Sequence, residues 1–159
     1  MKKALIILFT VLLICGCSKQ KELEERYYDY VKETNECVYF NDQEYPFDID
    51  ITLEKLNDNY LIYRVFIDNP KENLYDIEAL VTHNYETDDV FPSSGLYEEP
   101  LDLLINEDSE DYIKGIILSG YIETTTSIED INITFKALIK AKSKFGYYEE
   151  FCYEKDFLE

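Results

Sequence analysis

Histidine and tryptophan are nearly absent from this chain, and cationic side chains are scarce. Its 159 residues include one histidine, no tryptophan, and 15 Lys and Arg residues against 34 Asp and Glu residues. The formal net charge of -19 repels a polyanionic backbone, which excludes sequence-independent binding to nucleic acids. A single histidine also leaves little of the usual acid-base and metal-binding chemistry.

The abundant residues are apolar and aromatic. Hydrophobic residues make up 46% of the chain, and its aromatic residues are 15 Tyr and 9 Phe. Tyrosine and phenylalanine suit half-buried strands, so the composition indicates a folded protein and not a disordered acidic tail. The length fits one globular domain with appendages and leaves no room for two sizeable cores.

The N-terminal segment has the pattern of a secretory signal peptide. Lys2 and Lys3 precede a run of eleven mainly apolar residues, ALIILFTVLLI, at positions 4–14. Such a run is too short to cross a bilayer as a mature helix. A basic start, a short apolar middle and small residues before a cut are typical of a signal peptide. We therefore expect export, and the absence of an Arg-Arg pair favours the general secretory route.

The end of this segment, Ile14-Cys15-Gly16-Cys17, resembles the lipobox of bacterial lipoproteins. In that family a diacylglyceryl group is attached to the cysteine thiol, and the signal peptidase cuts immediately before that residue. The resemblance implies that residues 1–16 are removed and that Cys17 anchors the protein on the extracytoplasmic side of the cell membrane. Cys15 departs from the Ala or Ser that the family usually has at its position. The alternative is an ordinary secretory signal with a fortuitous cysteine.

Residues 17–44 are expected to form a lipidated tether and a short helix. Loss of Lys2 and Lys3 brings the formal charge from -19 to -21, which repels the domain from an anionic membrane surface. Residues 18–25, SKQKELEE, have the polar composition of a tether. The segment from Leu23 onward predicts a helical face of about three turns, with an extended tether as the alternative. That face comprises Leu23, Tyr27, Tyr30 and Val31.

Residues 45–159 read as a β-domain. Apolar and polar residues alternate with the period of a strand, and turn residues such as Asn57-Asp58-Asn59 separate the runs. The run at 60–68 is apolar on both faces, which predicts a central strand. Strands are expected at 47–54, 60–68, 77–84, 112–123, 131–141 and 147–153, with a further short strand at 101–105.

Six or seven short strands with hardly any helix predict an all-β fold, an antiparallel β-sandwich. Strand number and spacing loosely resemble those of immunoglobulin-like and fibronectin type III sandwiches, although no tryptophan is present and the cysteines do not fall on the usual pair of strands. A closed barrel with an internal pocket is the alternative.

Two of the four cysteines are expected to form a disulfide. Cys15 leaves with the signal and Cys17 is lipidated, so that Cys37 and Cys152 remain in an exported domain. Free buried thiols and a metal site are the alternatives. Two cysteines and one His83 supply few ligands for a metal, and we expect neither a metal nor a cofactor.

Acidic residues are concentrated in the long irregular stretch at 85–111, where function often resides. Because loops at one end of a sandwich tend to lie together, we expect these acids to form a continuous negative rim that faces a ligand. A solvated loop without a ligand is the alternative, and Asn106 with the acids after it is a weaker calcium candidate that lacks the spacing of a calcium loop. The acids are Asp88, Asp89, Glu98, Glu99, Asp102, Glu107, Asp108, Glu110 and Asp111.

Two further groups have a functional and a structural interpretation. His83 with Ser93, Ser94 or Ser119 and an aspartate would suit a hydrolase, but a lone histidine at a strand end is usually structural. Lys136, Lys140, Lys142 and Lys144 would suit an anionic polymer. A hairpin with a bulge at Gly146 instead places Glu150 between two of these lysines and neutralises them, although this register turns Glu149 inward.

The sequence therefore predicts a non-enzymatic binding domain on a lipid-anchored cell-surface protein. Its partners are the membrane, through the anchor, and another protein or an envelope polymer. One alternative is an acidic module that captures basic proteins or peptides, as lysozyme inhibitors do. Another is an envelope hydrolase.

Overall fold

The computed structural model describes residues 2–40, 42–87 and 89–157, and it describes side chains in the first helix from Lys19 onward. Cys17, the other lipobox side chains and Asp88 lie outside this described part. Its elements are α1 (Lys2–Glu36), β1 (Asp48–Lys55), β2 (Tyr60–Asp68), β3 (Leu74–His83), β4 (Ser93–Ser94), β5 (Leu101–Leu103), β6 (Gly115–Glu123), a 3-10 turn (Ile128–Asp130), β7 (Ile133–Lys142) and β8 (Tyr148–Phe157).

The first sheet has three antiparallel strands in the order β1-β2-β6. Strand β2 is central, as its two apolar faces predict, and it pairs with β6 over its whole length from Tyr60 opposite Glu123 to Asp68 opposite Gly115. Alternate residues of β2 point into the core, and the four inward ones are all buried. These are Leu61, Tyr63, Val65 and Ile67.

The second sheet has five strands in the order β4-β3-β7-β8, with β5 also paired to β3. Strands β7 and β8 form a hairpin whose turn is closed by a hydrogen bond of 2.8 Å from the Gly146 amide to the Ser143 carbonyl. Gly146 has a φ of +80°, a conformation that glycine adopts without the steric cost of a Cβ atom. The predicted hairpin with a turn at Gly146 is confirmed.

The two sheets pack face to face, which confirms the all-β sandwich. Strands β1, β2 and β6 form one layer, and strands β3, β4, β5, β7 and β8 form the other. No strand pairing joins the two sheets within the described residues, so the closed barrel is not formed. The interior is filled by large side chains such as Phe47, Tyr63 and Phe135.

Helix α1 covers the outer face of the second sheet. Tyr27 and Tyr30, on the predicted apolar face of the helix, are each 4% exposed and form a second apolar cluster with three leucines of the domain. Leu80 and Leu138 of that cluster are direct cross-strand partners on β3 and β7. Residues 19–22, which precede the predicted helical face and were expected to form a tether, are also helical. The docked face extends the ordered helix into this polar segment.

Candidate functional site

The irregular stretch after β3 turns back along the edge of that strand. Ser93 and Ser94 of β4 pair with Leu80 and Ala79, and β5 pairs further back, with Ile77 and Leu74. The amide of Ile105 then donates to the side chain of Asn73, the residue before β3. The stretch therefore begins at one end of β3 and reaches the other end, about 30 Å away for a strand of ten residues.

Among the described residues of this stretch, the acids are divided between the two ends of β3, which differs from the continuous rim that was expected. Asp89 lies near His83 at the C-terminal end of β3, whereas Glu107, Asp108, Glu110 and Asp111 lie beyond its N-terminal end. The cause is the pairing of β4 and β5 with β3, which separates the two groups by the length of the strand.

Two acids between these groups have local structural roles. The carboxylate of Glu98 accepts a hydrogen bond of 3.0 Å from the amide of Gly95, and that of Asp102 accepts one of 2.9 Å from the amide of Asp76. Near the calcium candidate, the Asn106 side chain accepts from the amide of Asp108 at 3.2 Å. Across the described residues, no group of three His, Cys, Asp or Glu side chains is placed to hold a metal ion.

The predicted disulfide between Cys37 and Cys152 is present, with Cα atoms 5.9 Å apart. It joins the segment after α1 to β8 on the outer face of the second sheet, where Cys152 lies opposite Leu138. The bond is therefore next to the cluster that holds the helix on the sheet.

Acidic neighbours pair with the lysine stripe on β7, but Glu150 lies opposite Lys140 and not between Lys136 and Lys140 as expected. Glu154 is the residue opposite Lys136. Glu149, which the expected register turns inward, is exposed near the end of the hairpin. Lys144 lies in the turn, with its ammonium 5.1 Å from the Phe145 ring. The ion pairs are Lys136–Glu154 (3.5 Å), Lys140–Glu150 (3.4 Å), Lys140–Glu33 (2.5 Å) and Lys142–Asp76 (2.5 Å).

Helix α1 also covers this stripe, a contact that the residue pattern did not indicate. The Lys140 ammonium lies 4.9 Å from the centre of the Tyr30 ring and pairs with Glu33, both on α1. Burial alone lowers the pKa of Lys140, but its hydrogen bond to Glu33 and the charges of Glu150 and Glu33 raise it above the usual value. The stripe thus stabilises helix docking and is not a free basic surface.

His83 ends β3 and points into the sandwich, as Ala79 and Val81 do. It is 8% exposed, and its ring meets those of Tyr63, Phe91 and Phe135 edge to face, with centroids 5.1 to 5.6 Å apart. Its Nδ1 lies 3.2 Å from the carbonyl oxygen of Tyr85. A carbonyl only accepts, so Nδ1 carries the proton and Nε2 of the neutral ring is an acceptor.

The Nε2 atom of His83 is buried without a hydrogen-bond partner among the described residues. Burial lowers the pKa of His83, and the hydrogen bond to Tyr85 only partly offsets this, so the ring is neutral at pH 7. An unpartnered polar atom in the interior costs free energy, and among the described residues Thr52 and Ser143 also have one.

A cavity of about 230 Å³ opens beside His83 at this end of the sandwich. Gly120 lies opposite Tyr63 on the neighbouring strand, and a Cβ atom there would come within 2.3 Å of the Tyr63 hydroxyl. Glycine at this position therefore makes room for that hydroxyl. The lining consists of Tyr63, His83, Thr87, Asp89, Val90, Phe91, Ser119, Gly120 and Tyr121.

One of the three candidate serines reaches this cavity. Ser119 lines it together with His83 and Asp89, but it lies on the outward side of β6 and is exposed. Ser93 and Ser94 lie on β4, opposite Leu80 and Ala79. No hydrogen bond joins a serine to His83 within the described ranges, so the geometry of an activated nucleophile is not formed there.

Sequence reasoning singled out His83, Asp89 and Ser119 but missed the aromatic lining of Tyr63, Phe91 and Tyr121. The sequence did single out Tyr63 in one respect, because it places a polar hydroxyl on the inward face of a strand whose other inward residues are aliphatic. Burial raises the pKa of Tyr63, with smaller contributions from the nearby Tyr27 and Asp89, so its hydroxyl is neutral.

Within the described residues, no helix combines the length and apolar character needed to cross a bilayer. Comparisons with known protein families, with curated proteins and with solved structures give no significant match. The functional assignment of this chain therefore rests on its own residues.

Proposed function

We propose that this chain is an exported bacterial lipoprotein, anchored through Cys17, whose sandwich acts as a non-enzymatic binding domain at the cell surface. The observation that carries the anchor is the order of residues at the N-terminus. Two lysines, a short apolar run and Ile14-Cys15-Gly16-Cys17 follow one another as in the lipoprotein family. The Cys37–Cys152 disulfide supports an oxidising compartment.

The anchor is tested by comparing Cys17→Ala with Cys15→Ala in a bacterial host. Cys17→Ala is expected to lose the acyl mass and to leave the detergent-extracted membrane fraction, whereas Cys15→Ala keeps both. The two cysteines are two residues apart, which makes each the matched control of the other. Acylation that persists in Cys17→Ala would sink the assignment.

The observation that favours binding is the cavity at the C-terminal end of β3, with its unpartnered His83 acceptor. Sandwich domains of this class carry their binding residues on the loops at the ends of the sheets. Here the loop after β3 supplies Asp89 and Phe91, and the two sheets supply His83 and Tyr63.

A second candidate function is the capture of basic proteins or peptides, which the charge of the domain favours. After removal of residues 1–16 the formal charge is -21, and such a field steers cationic partners toward the protein. The acids are distributed over both ends of β3, so the attraction comes from the whole domain and not from one rim.

This second candidate is tested by titrating the protein with lysozyme and with a neutral protein of similar size at 20 and 150 mM salt. Lysozyme binding is expected to weaken steeply at the higher salt, where the screening length is about 8 Å. Equal and salt-insensitive signals for the two proteins would leave solubility as the role of the charge.

A further inference from the structure

We propose that the cavity beside His83 binds a protonated nitrogen, namely the ammonium group of a lysine side chain or the guanidinium group of an arginine side chain presented by a basic partner. This inference rests on the proposed binding role of the domain and identifies the chemical group that this site recognises. It does not depend on the lipid anchor.

The first feature that defines the ligand is the acceptor of His83, a residue that lines the cavity. The Nε2 atom of His83 is buried and unpartnered, and the Tyr85 carbonyl fixes the tautomer in which it has a free lone pair. Such an atom lacks a donor, and the N–H of a ligand that enters between the lining side chains would supply one. A carboxylate or phosphate would place a second acceptor against it and is disfavoured.

The second feature that defines the ligand is the charge of the lining. Asp89 supplies a carboxylate, while the hydroxyls of Tyr63 and Thr87 are able to accept hydrogen bonds. No lysine or arginine lines the cavity in the part of the chain that the structure describes. Acceptors without a compensating cation favour a ligand that brings both donors and a positive charge.

The third feature is the aromatic character of the cavity walls. Phe91, Tyr63 and Tyr121 border the cavity, and the face of an aromatic ring attracts a cation through its quadrupole. Tyr121 is 49% exposed on the outer side of β6, so the cavity opens to solvent there. A side chain of a partner is able to enter while its backbone remains outside.

The fourth feature is the size of the cavity. A volume of about 230 Å³ is below the range of about 300 to 1,000 Å³ that is typical of sites for drug-sized ligands. The space therefore suits the end of one long side chain. A bare metal ion is disfavoured because no group of three His, Cys, Asp or Glu ligands exists among the described residues.

The experiment uses His83 as a reporter, since it is the only histidine of the chain. The full-length protein, labelled with ¹⁵N-histidine and purified in a nonionic detergent, is titrated with Nα-acetyl-lysine methylamide, Nα-acetyl-arginine methylamide and the uncharged Nα-acetyl-norleucine methylamide. We expect saturable shifts of the Nε2 resonance with at least one of the two cationic compounds, with a dissociation constant on the order of 1 mM, and none with norleucine. The cationic compound that binds more tightly identifies the preferred group.

Matched variants distinguish binding in the cavity from attraction by the overall negative charge of the protein. Asp89→Asn is expected to weaken binding at least about tenfold, because a charged hydrogen bond is lost. Asp108→Asn removes the same charge at the other end of β3 and is expected to change it less than about twofold. His83→Phe keeps an aromatic ring but lacks the acceptor, and calorimetry is expected to show the same loss as for Asp89→Asn. A native circular dichroism spectrum confirms folding.

Three results would overturn the proposal. These are shifts of equal size with the norleucine compound, equal weakening by Asp89→Asn and Asp108→Asn, and shifts that do not saturate. If these results occur while lysozyme binding stays salt-sensitive, the cavity assignment fails and the capture function stands. If the cavity binds the cationic compounds but lysozyme does not bind, the cavity assignment stands and the capture function fails.

Discussion

Loss of the disulfide between Cys37 and Cys152 is expected to cost a large part of the domain's stability. The two residues are 115 positions apart, so the closed loop contains strands β1 to β7 and the first half of β8. In the chain-entropy description, a closed loop of this length reduces the entropy of the unfolded chain enough to stabilise the fold by about 5 kcal/mol at 25 °C. Measured values for single bridges are commonly lower, and we expect a loss of about 3 to 5 kcal/mol in Cys37→Ala/Cys152→Ala.

The assay is urea unfolding of the oxidised protein and of the double variant, each analysed with its own m-value. The variant is expected to have a larger m-value, because its unfolded chain is less compact. For an m-value of about 2 kcal/mol per M, a loss of 4 kcal/mol lowers the midpoint by about 2 M. A difference in the free energy of unfolding below about 1 kcal/mol would refute the reasoning, since the entropic effect of the closed loop would then be absent or cancelled.

Three further predictions concern single residues. Tyr30→Phe removes a buried hydroxyl that donates to the Glu78 carbonyl at 2.9 Å and is expected to lower the free energy of unfolding by about 1 kcal/mol, whereas Tyr28→Phe, at a position 68% exposed on the same helix, changes it little. Equal effects in urea unfolding would contradict the docking of α1. Gly146→Ala is expected to cost about 1 kcal/mol in the same assay through its φ of +80° alone, because an added Cβ meets no atom within 4 Å; an unchanged midpoint would refute this. Burial lowers the pKa of His83, so its contribution to stability is complete above the unfolded pKa of about 6.5 and is lost as the pH falls toward the lower native value. Thermal unfolding from pH 7.5 to 5 is expected to show that the wild type loses more stability than His83→Phe, and parallel curves would contradict the buried neutral ring.

The strands could be predicted from the sequence because their period is local. Strand β2 has the predicted bounds, and β1 differs by one residue at each end. The end of β8 was placed four residues too early, since Glu154, Lys155 and Asp156 resemble a polar tail. Lys155 is held in the strand by Asp50, whose carboxylate lies 2.6 Å from its ammonium group, and this contact involves a residue 105 positions away.

The place where the helix docks could have been predicted only in part. The spacing of Tyr27 and Tyr30 gave an apolar face, and Leu80 and Leu138 stood on strand faces that are otherwise polar. These two leucines are cross-strand partners, and together they form the apolar surface on which the helix lies. Periodicity alone does not give the register of β3 against β7, and it is this register that places the two leucines side by side.

The cavity could not be predicted because its residues come from four separate parts of the chain. Tyr63, His83, Asp89 and Ser119 are brought together by the facing of the two sheets and by the loop after β3. The acidic composition of that loop instead suggested one rim. Backbone pairing of β4 and β5 decides where each acid lies, and two- and three-residue strands leave almost no periodic signal.

Helix α1 connects the predicted anchor to the cavity through a single tyrosine. The Tyr27 hydroxyl accepts a hydrogen bond of 2.7 Å from the Phe91 amide and donates one of 3.2 Å to the Phe91 carbonyl. The Phe91 ring in turn packs on His83 at 5.1 Å. From Lys19 to Tyr27 the helix extends about 12 Å at 1.5 Å per residue. Under the proposed anchoring at Cys17, a helix that also fixes a wall of the cavity would hold that cavity at a defined distance from the membrane, which a flexible tether would not do.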